Sequence, residues 1–192
     1  MIPLRTATDE TFWRRLVSAD QALLLAVRRL ESRGMTRAMR LLTRLGDTSA
    51  WVVVGLAFLA AGGPGLRYGA LLGTGACLAV AISQPLKRIC CRTRPDCGIV
   101  GFAALVENPD AFSFPSGHTA AAFAIAVALA GEGSWLGTLT LSLASGIAVS
   151  RVYLGAHYPL DVAAGTLLGT LCGLAARLLV GYALGAPGGI AG

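Results

Sequence analysis

From Thr48 onward the chain alternates long apolar stretches with short polar breaks: Thr48 to Gly62, Tyr68 to Ile89, Ser116 to Ala130, Trp135 to Leu154, and Tyr158 to Ala186. Gly62-Gly63-Pro64-Gly65 and Gly131-Glu132-Gly133 read as tight turns between neighbouring helices. Several stretches fall short of the ~20 residues that cross a bilayer. A helix that enters a polar site buried in protein can nevertheless run past its apolar part. The pattern predicts an all-α fold, a multi-pass transmembrane helix bundle of about five spans. The one long connection, Cys90 to Phe114, carries Pro95, Pro109 and the apolar run Ile99 to Val106, and reads as an irregular or interfacial lid.

Ahead of Thr48 the rhythm differs. Phe12, Leu16, Leu23, Val27 and Leu30, then Met35, Met39 and Leu42, recur at roughly helical spacing with arginines between them. The uninterrupted apolar part, Ala22 to Val27, is far too short to span. Residues 1–47 therefore read as N-terminal amphipathic helices lying on the membrane interface, with a solubilising tail as the alternative. Residues 48–186 form the transmembrane domain, and 187–192 a short tail.

Three polar clusters sit at the edges of the apolar stretches: Lys87 with Arg94-Pro95; Pro115-Ser116-Gly117-His118; and Ser150-Arg151 followed by His157 and Asp161. Counting crossings from Thr48, the chain is back on its starting side at Lys87, leaves it at Ser116, returns at Arg151 and leaves again after His157. All three clusters fall on one membrane face. Nothing in the composition requires that outcome, so it favours a shared site over scattered surface charge.

Composition agrees with a membrane protein: 55% of residues are hydrophobic and 14% charged, with a mean hydropathy of +0.66. The net charge of +6 does not signal nucleic acid, because the arginines crowd into the N-terminal stretch and no basic patch is interleaved with aromatics. Arg14-Arg15 and Asp20 interrupt any signal-peptide core. The five cysteines, Cys77, Cys90, Cys91, Cys97 and Cys172, match neither a zinc ribbon nor a paired disulfide framework. A bridge from Cys90 or Cys91 to Cys97 in an oxidising compartment stays open as an alternative.

Each cluster has its own chemistry. Lys87, Arg88, Arg92 and Arg94 alone would be an ordinary juxtamembrane basic flank. Yet lysine offers phosphate a compact charge and arginine a fork that meets two oxygens. Ser116 is placed to cap a helix whose first turn holds Gly117 and His118. The free N–H groups of that turn suit an anion, and a histidine beside a bound phosphate can protonate a leaving oxygen. His157 and Asp161 lie four apart, so a helix starting near Tyr158, with Pro159 in its first turn, puts both on one face. A carboxylate on one ring nitrogen sets the tautomer and raises the basicity of the other. The plain alternatives are a cap with a snorkelling histidine and a structural salt link. Two histidines and one aspartate among cations do not make a metal centre, so metal-free, cofactor-free chemistry is expected.

Lysine, six residues, Arg-Pro; Pro-Ser-Gly-His; Ser-Arg, five residues, histidine, three residues, aspartate: this order resembles the three-part signature of the type 2 phosphatidic acid phosphatases, the lipid phosphate phosphatase family. The resemblance covers about Thr48 to Ala186. It implies that His157 is the nucleophile and forms a phosphohistidine, that Asp161 orients it, and that His118 protonates the leaving lipid oxygen and then activates water. It further implies that Lys87, Arg94, Arg151, Ser116 and Gly117 bind the phosphoryl oxygens. The substrate would be a membrane lipid phosphate or diphosphate: a polyprenyl phosphate or diphosphate, phosphatidylglycerol phosphate or phosphatidate. The signature is similar also to that of vanadium haloperoxidases and soluble class A acid phosphatases, against which the apolar spans argue; a non-catalytic anion or lipid carrier is the alternative of another class.

The expected location is the cell (inner) membrane. Nine arginines lie between Arg5 and Arg44, on the side of the clusters, against Arg67 and Arg177 on the other. Positive-inside asymmetry thus places N-terminus and site in the cytoplasm, whereas many members of the resembled family face the periplasm or cell exterior.

Overall fold

The computed structural model describes residues 7–108 and 110–184. Its helices are α1 (Ala7–Arg28), α2 (Arg33–Leu45), α3 (Thr48–Ala61), α4 (Pro64–Cys90), the single-turn α5 (Pro95–Gly98), α6 (Gly117–Leu129), α7 (Ser134–Tyr153) and α8 (Pro159–Ala183). The turns fall where glycine and proline announced them: Gly62 and Gly63 take positive φ and Pro64 opens α4. The expected tail, 187–192, lies outside the described residues.

α6 is the centre of the bundle, packed between α4, α7 and α8. Its alanines allow this: Ala120, Ala122, Ala124, Ala126 and Ala128, on several sides of the helix, are all buried. The closest seam is with α8, where glycine recurs every fourth residue. A Cβ on Gly169 would lie 2.3 Å from the Ala120 carbonyl oxygen, and one on Gly173 2.6 Å from that of Ala124. Such a small-residue stripe lets two helix backbones meet in lipid, where no hydrophobic force drives helices together.

Among the described residues, three helices are long and apolar enough to cross a membrane: α4, α7 over Trp135–Tyr153, and α8. α2 and α3 reach that length only as a pair, bent by 52° at Gly46-Asp47, and α6 is a shorter apolar helix. The five apolar stretches are thus five helices, but not five helices of spanning length. α6 can be short because its polar end passes into protein rather than lipid, where its neighbours satisfy the backbone.

The N-terminal region docks on the bundle through a stripe other than its apolar repeat. Phe12, Leu23 and Leu30 of the apolar repeat point away from the bundle and are 59%, 53% and 68% exposed. The inward stripe of α1 runs through Leu16, Asp20, Leu24 and Val27 instead, and Asp20 and Leu24 are buried. α2 turns Thr36, Met39, Leu42 and Thr43 inward against α7 and leaves Met35 exposed. Tyr153 of α7 joins it by hydrogen bonds to the Ser32 backbone N–H and the Thr36 hydroxyl. α1 and α2 also hold the 91–116 connection: Arg28 donates to the Ala103 carbonyl and stacks over Phe102, and Arg40 donates to the Leu105 carbonyl. The reason is polar. A stripe chosen by hydrophobicity alone misses a helix that docks through a carboxylate.

Candidate active site

Five elements end around one cavity of about 680 Å³. α4 brings Lys87, the chain entering α5 brings Arg94, α6 begins with Gly117 and His118, α7 ends with Arg151, and the turn before α8 carries His157. All six line the cavity, with Asp110 from the long connection. The shared face expected from counting crossings is therefore a shared chamber. From it an apolar groove runs between α3 and α4 along Trp51, Val52, Leu56 and Leu59 on one side and Val80, Ala76, Gly73 and Gly69 on the other. Gly69 to Lys87 is eighteen residues of helix, roughly 27 Å at 1.5 Å per residue.

His157 is buried. Its Nδ1 lies 2.7 Å from the Ser113 carbonyl oxygen. A carbonyl only accepts, so Nδ1 carries the proton and the neutral ring keeps its lone pair on Nε2. Arg94 Nη1 stands 3.4 Å from that Nε2, which puts an anion held by Arg94 beside that ring nitrogen. Burial, followed by the charges of Arg151, Arg94 and Lys87, pushes His157 well below the ordinary histidine range; only the Ser113 hydrogen bond pulls it up. The ring therefore stays neutral and nucleophilic into mildly acid solution. The chain has only two histidines, which makes this measurable. In ¹⁵N-histidine NMR spectra, the signal lost in His157→Ala should be an Nδ1-protonated neutral imidazole that stays neutral through the ordinary histidine range, near pH 6.5. Protonation near 6.5 would contradict the geometry.

Asp161 does not play the part its spacing suggested. It lies 3.7 Å from His157 Nδ1, beyond hydrogen-bond reach, and Ser113 holds the ring instead. Its carboxylate is fully buried and otherwise engaged: Oδ1 accepts from Arg92 Nη1 at 2.6 Å, and Oδ2 from the Tyr158 backbone N–H at 2.9 Å, closing the first turn of α8. Arg92 also bonds Asp20 Oδ2 at 2.5 Å and lies 4.2 Å over the Tyr158 ring, and Asp20 Oδ1 accepts from the Leu160 N–H at 2.9 Å. Burial alone would lower Arg92, but the Asp20 hydrogen bond and both carboxylate charges outweigh it and raise it. Two buried carboxylates sharing one guanidinium thus fix the start of α8, and with it the turn that carries His157.

The hydrogen-bonded histidine–aspartate pair belongs to the other histidine. His118 Nε2 lies 2.9 Å from Asp47 Oδ1 at the bend between α2 and α3. A carboxylate accepts, so Nε2 donates and Nδ1 is left to exchange a proton.

The phosphate-binding set is only partly as expected. Gly117 stands in the first turn of α6 with open space where a Cβ would project. Ser116 occupies the cap position but is buried, and its hydroxyl bonds Thr119 Oγ1 at 2.9 Å rather than capping the helix. It faces the α8 seam, where a Gly165 Cβ would meet its carbonyl oxygen at 2.6 Å, and it does not line the cavity. Arg151 Nη1 donates to Thr43 Oγ1 at 2.7 Å, while Nε finds no partner among the described residues. Asp110, absent from any motif, bridges the clamp: Oδ2 accepts from Lys87 Nζ at 2.6 Å, Oδ1 from Arg94 Nη2, and its carbonyl from Arg94 Nε at 2.8 Å. Burial would push its carboxyl up, but the hydrogen bonds and charges of Lys87 and Arg94 win and hold it below the usual range. Cys90, Cys91 and Cys97 are free thiols, so the alternative bridge is not formed.

Comparison with known proteins agrees with this arrangement. The sequence profile of the PAP2 superfamily matches residues 68–184. The decaprenylphosphoryl-5-phosphoribose phosphatase of Mycobacterium tuberculosis is 34% identical over 83% of this chain and 89% of its own length. The undecaprenyl-diphosphatase of Sulfolobus acidocaldarius is 34% identical over 48% of this chain and 46% of its own. Among solved structures, a transmembrane PAP2-type phosphatidylglycerolphosphate phosphatase from Bacillus subtilis superposes with a TM-score of 0.71 at 26% identity, covering 90% of this chain and 88% of that one. With the profile match spanning most of α4 to α8, a chamber built from the motif residues and relatives that are membrane phosphatases, this chain belongs to the PAP2 superfamily.

Proposed function

We propose that the protein removes the terminal phosphate of a polyprenyl-type membrane lipid, with His157 as nucleophile. The observation that carries this is one chamber joining three phosphate-binding cations and two histidines to a long apolar groove. The groove suits a lipid tail, and its length along α4 suits an extended one. The relatives named for decaprenyl and undecaprenyl substrates favour the polyprenyl class.

The reaction follows from the ring tautomers. Lys87, Arg94 and Arg151, with the Gly117 N–H, hold the phosphoryl oxygens and offset the charge that develops on them. His118 reacts as the imidazolium, its Nε2–H held by Asp47: His157 Nε2 bonds to phosphorus as the ester P–O bond breaks, and His118 delivers its Nδ1 proton to the departing oxygen and becomes neutral. Water then gives a proton to His118 and bonds to phosphorus. The N–P bond breaks, phosphate leaves, and both histidines return to their starting states. Asp161 acts through Arg92 and the first turn of α8, and Asp47 orients His118. Purified protein presented with polyprenyl monophosphates and diphosphates, phosphatidylglycerol phosphate and phosphatidate in micelles should release phosphate fastest from the polyprenyl lipids. No release from any of the four would refute the reading.

We further propose several membrane crossings, with residues 48–186 as the catalytic domain and the chamber facing the cytoplasm of a cell (inner) membrane, on the strength of the arginine asymmetry. α1 and α2 then lie along that face. Cys97 is exposed in α5, at the chamber's end of the bundle. In a variant with Cys97 as the sole thiol, a membrane-impermeant maleimide should label it only after cells are opened. Labelling in intact cells would place the chamber on the outer side.

A further inference from the structure

Asp110 is an acidic residue inside a phosphate site, and the proposed mechanism gives it no step. It is not a stray surface charge. Its two carboxylate oxygens take one hydrogen bond each from Lys87 and Arg94, and its backbone carbonyl takes a third from Arg94. Asn108 Oδ1 adds a bond from Arg94 Nη1 at 3.1 Å, so the segment grips the guanidinium at two places. Asp110 remains about one third exposed and lines the chamber.

We infer that Asp110 determines specificity by setting the charge of the clamp at that of a phosphate monoester, so that the enzyme prefers a lipid monophosphate to the diphosphate on the same tail. The inference rests on the phosphatase reading above and adds a selection between its substrates. Three cations, Lys87, Arg94 and Arg151, less the one carboxylate of Asp110, leave two positive charges around the bound group. Asp47 is occupied by His118 and does not enter that balance. A phosphate monoester near neutral pH carries about −1.5 to −2, which the clamp neutralises. A diphosphate brings a further phosphoryl group and its negative charge into a chamber that already holds a fixed carboxylate. Like charges at close range in a partly desolvated site repel strongly, and an enzyme can discriminate by such a penalty as well as by attraction. Lys87 and Arg94 are themselves buried, so solvent cannot dilute the effect as it would at a surface.

The test uses two lipids with one tail, farnesyl monophosphate and farnesyl diphosphate, assayed on the same micellar preparation of the full chain. The ratio of their kcat/KM values does not depend on how much of a variant is folded. Wild-type protein should favour the monophosphate. Asp110→Asn should shift the ratio toward the diphosphate by roughly tenfold or more, a size within the range for one unit charge at contact, while Asp110→Glu should keep the wild-type ratio. An Asp110→Asn enzyme with an unchanged ratio and both KM values lowered alike would show a plug that any anion displaces, and would overturn the inference. A wild-type preference for the diphosphate would overturn it too. Both of those results leave the phosphatase reading standing, whereas wild-type protein inert on both lipids and on the wider lipid panel would overturn the reading and the inference together.

Discussion

His157→Ala should abolish lipid phosphate hydrolysis, lowering kcat by roughly 10⁴-fold or more, the scale seen when a covalent nucleophile is removed. The size follows from the absence of a substitute. His118 has its Nε2 on Asp47 and in the proposed mechanism serves the leaving oxygen, so no second ring nitrogen replaces Nε2 of His157, which Arg94 approaches. The clamp of Lys87, Arg94 and Arg151 remains intact in the variant, so the lipid should still bind. That separates an enzyme from a carrier. If hydrolysis survived the substitution, the mechanism would fail, and if lipid transport persisted with no hydrolysis in the wild type, the carrier alternative would stand in its place. Bromide oxidation on addition of vanadate would in turn mark a haloperoxidase.

Arg92→Ala should be the most destabilising single change in the polar part of the structure. Arg92 bonds two carboxylates whose side chains are 1% and 0% exposed, Asp20 and Asp161. Removing the cation leaves both charges buried without it, and such a break costs about 3–5 kcal/mol. For a chain of this size that corresponds to a fall in Tm on the order of 10 °C. Asp20→Asn placed on top of Arg92→Ala should recover part of the loss, because one of the uncompensated charges goes with it. Activity should fall as well, since Arg92 fixes the start of α8 and the turn before it. Thermal unfolding in micelles, read as a double-mutant cycle, checks this. Equal stability of wild type and Arg92→Ala would mean that the carboxylates are satisfied some other way.

That network also marks the limit of what could be read along the chain. The apolar stretches, the glycine turns and the three clusters were all legible, because each is a local pattern: a run, a φ preference, a fixed spacing. Counting crossings then brought Lys87, His118, Arg151 and His157 to one end of the bundle, where they stand. The carboxylates were not legible in the same way. Asp47 meets His118 across 71 positions and Asp20 meets Arg92 across 72, and no periodicity records such a meeting. Asp20 did leave one trace, as a charge one helical turn from Leu16 and from Leu24 in the stripe that proved to face inward. Spacing also misled in one place. His157 and Asp161 do share a side of the α8 start, but four residues apart fixed only their proximity. The ring turned to the nearer carbonyl of Ser113, and the carboxylate to the stronger charge-assisted bond with Arg92. Ser116 likewise matched a motif and a cap position, yet close packing against Gly165 drew it into the helix seam.

The central claim is a covalent bond between phosphorus and His157. Wild-type protein mixed with ³²P-labelled lipid phosphate and quenched within a turnover should carry label that is stable to alkali and labile to acid, on the peptide containing His157. The same label should accumulate in His118→Ala if that variant loses the water-activating step faster than the first transfer. Full hydrolytic activity with label on another residue, or with none at any quench time in either protein, would contradict the account.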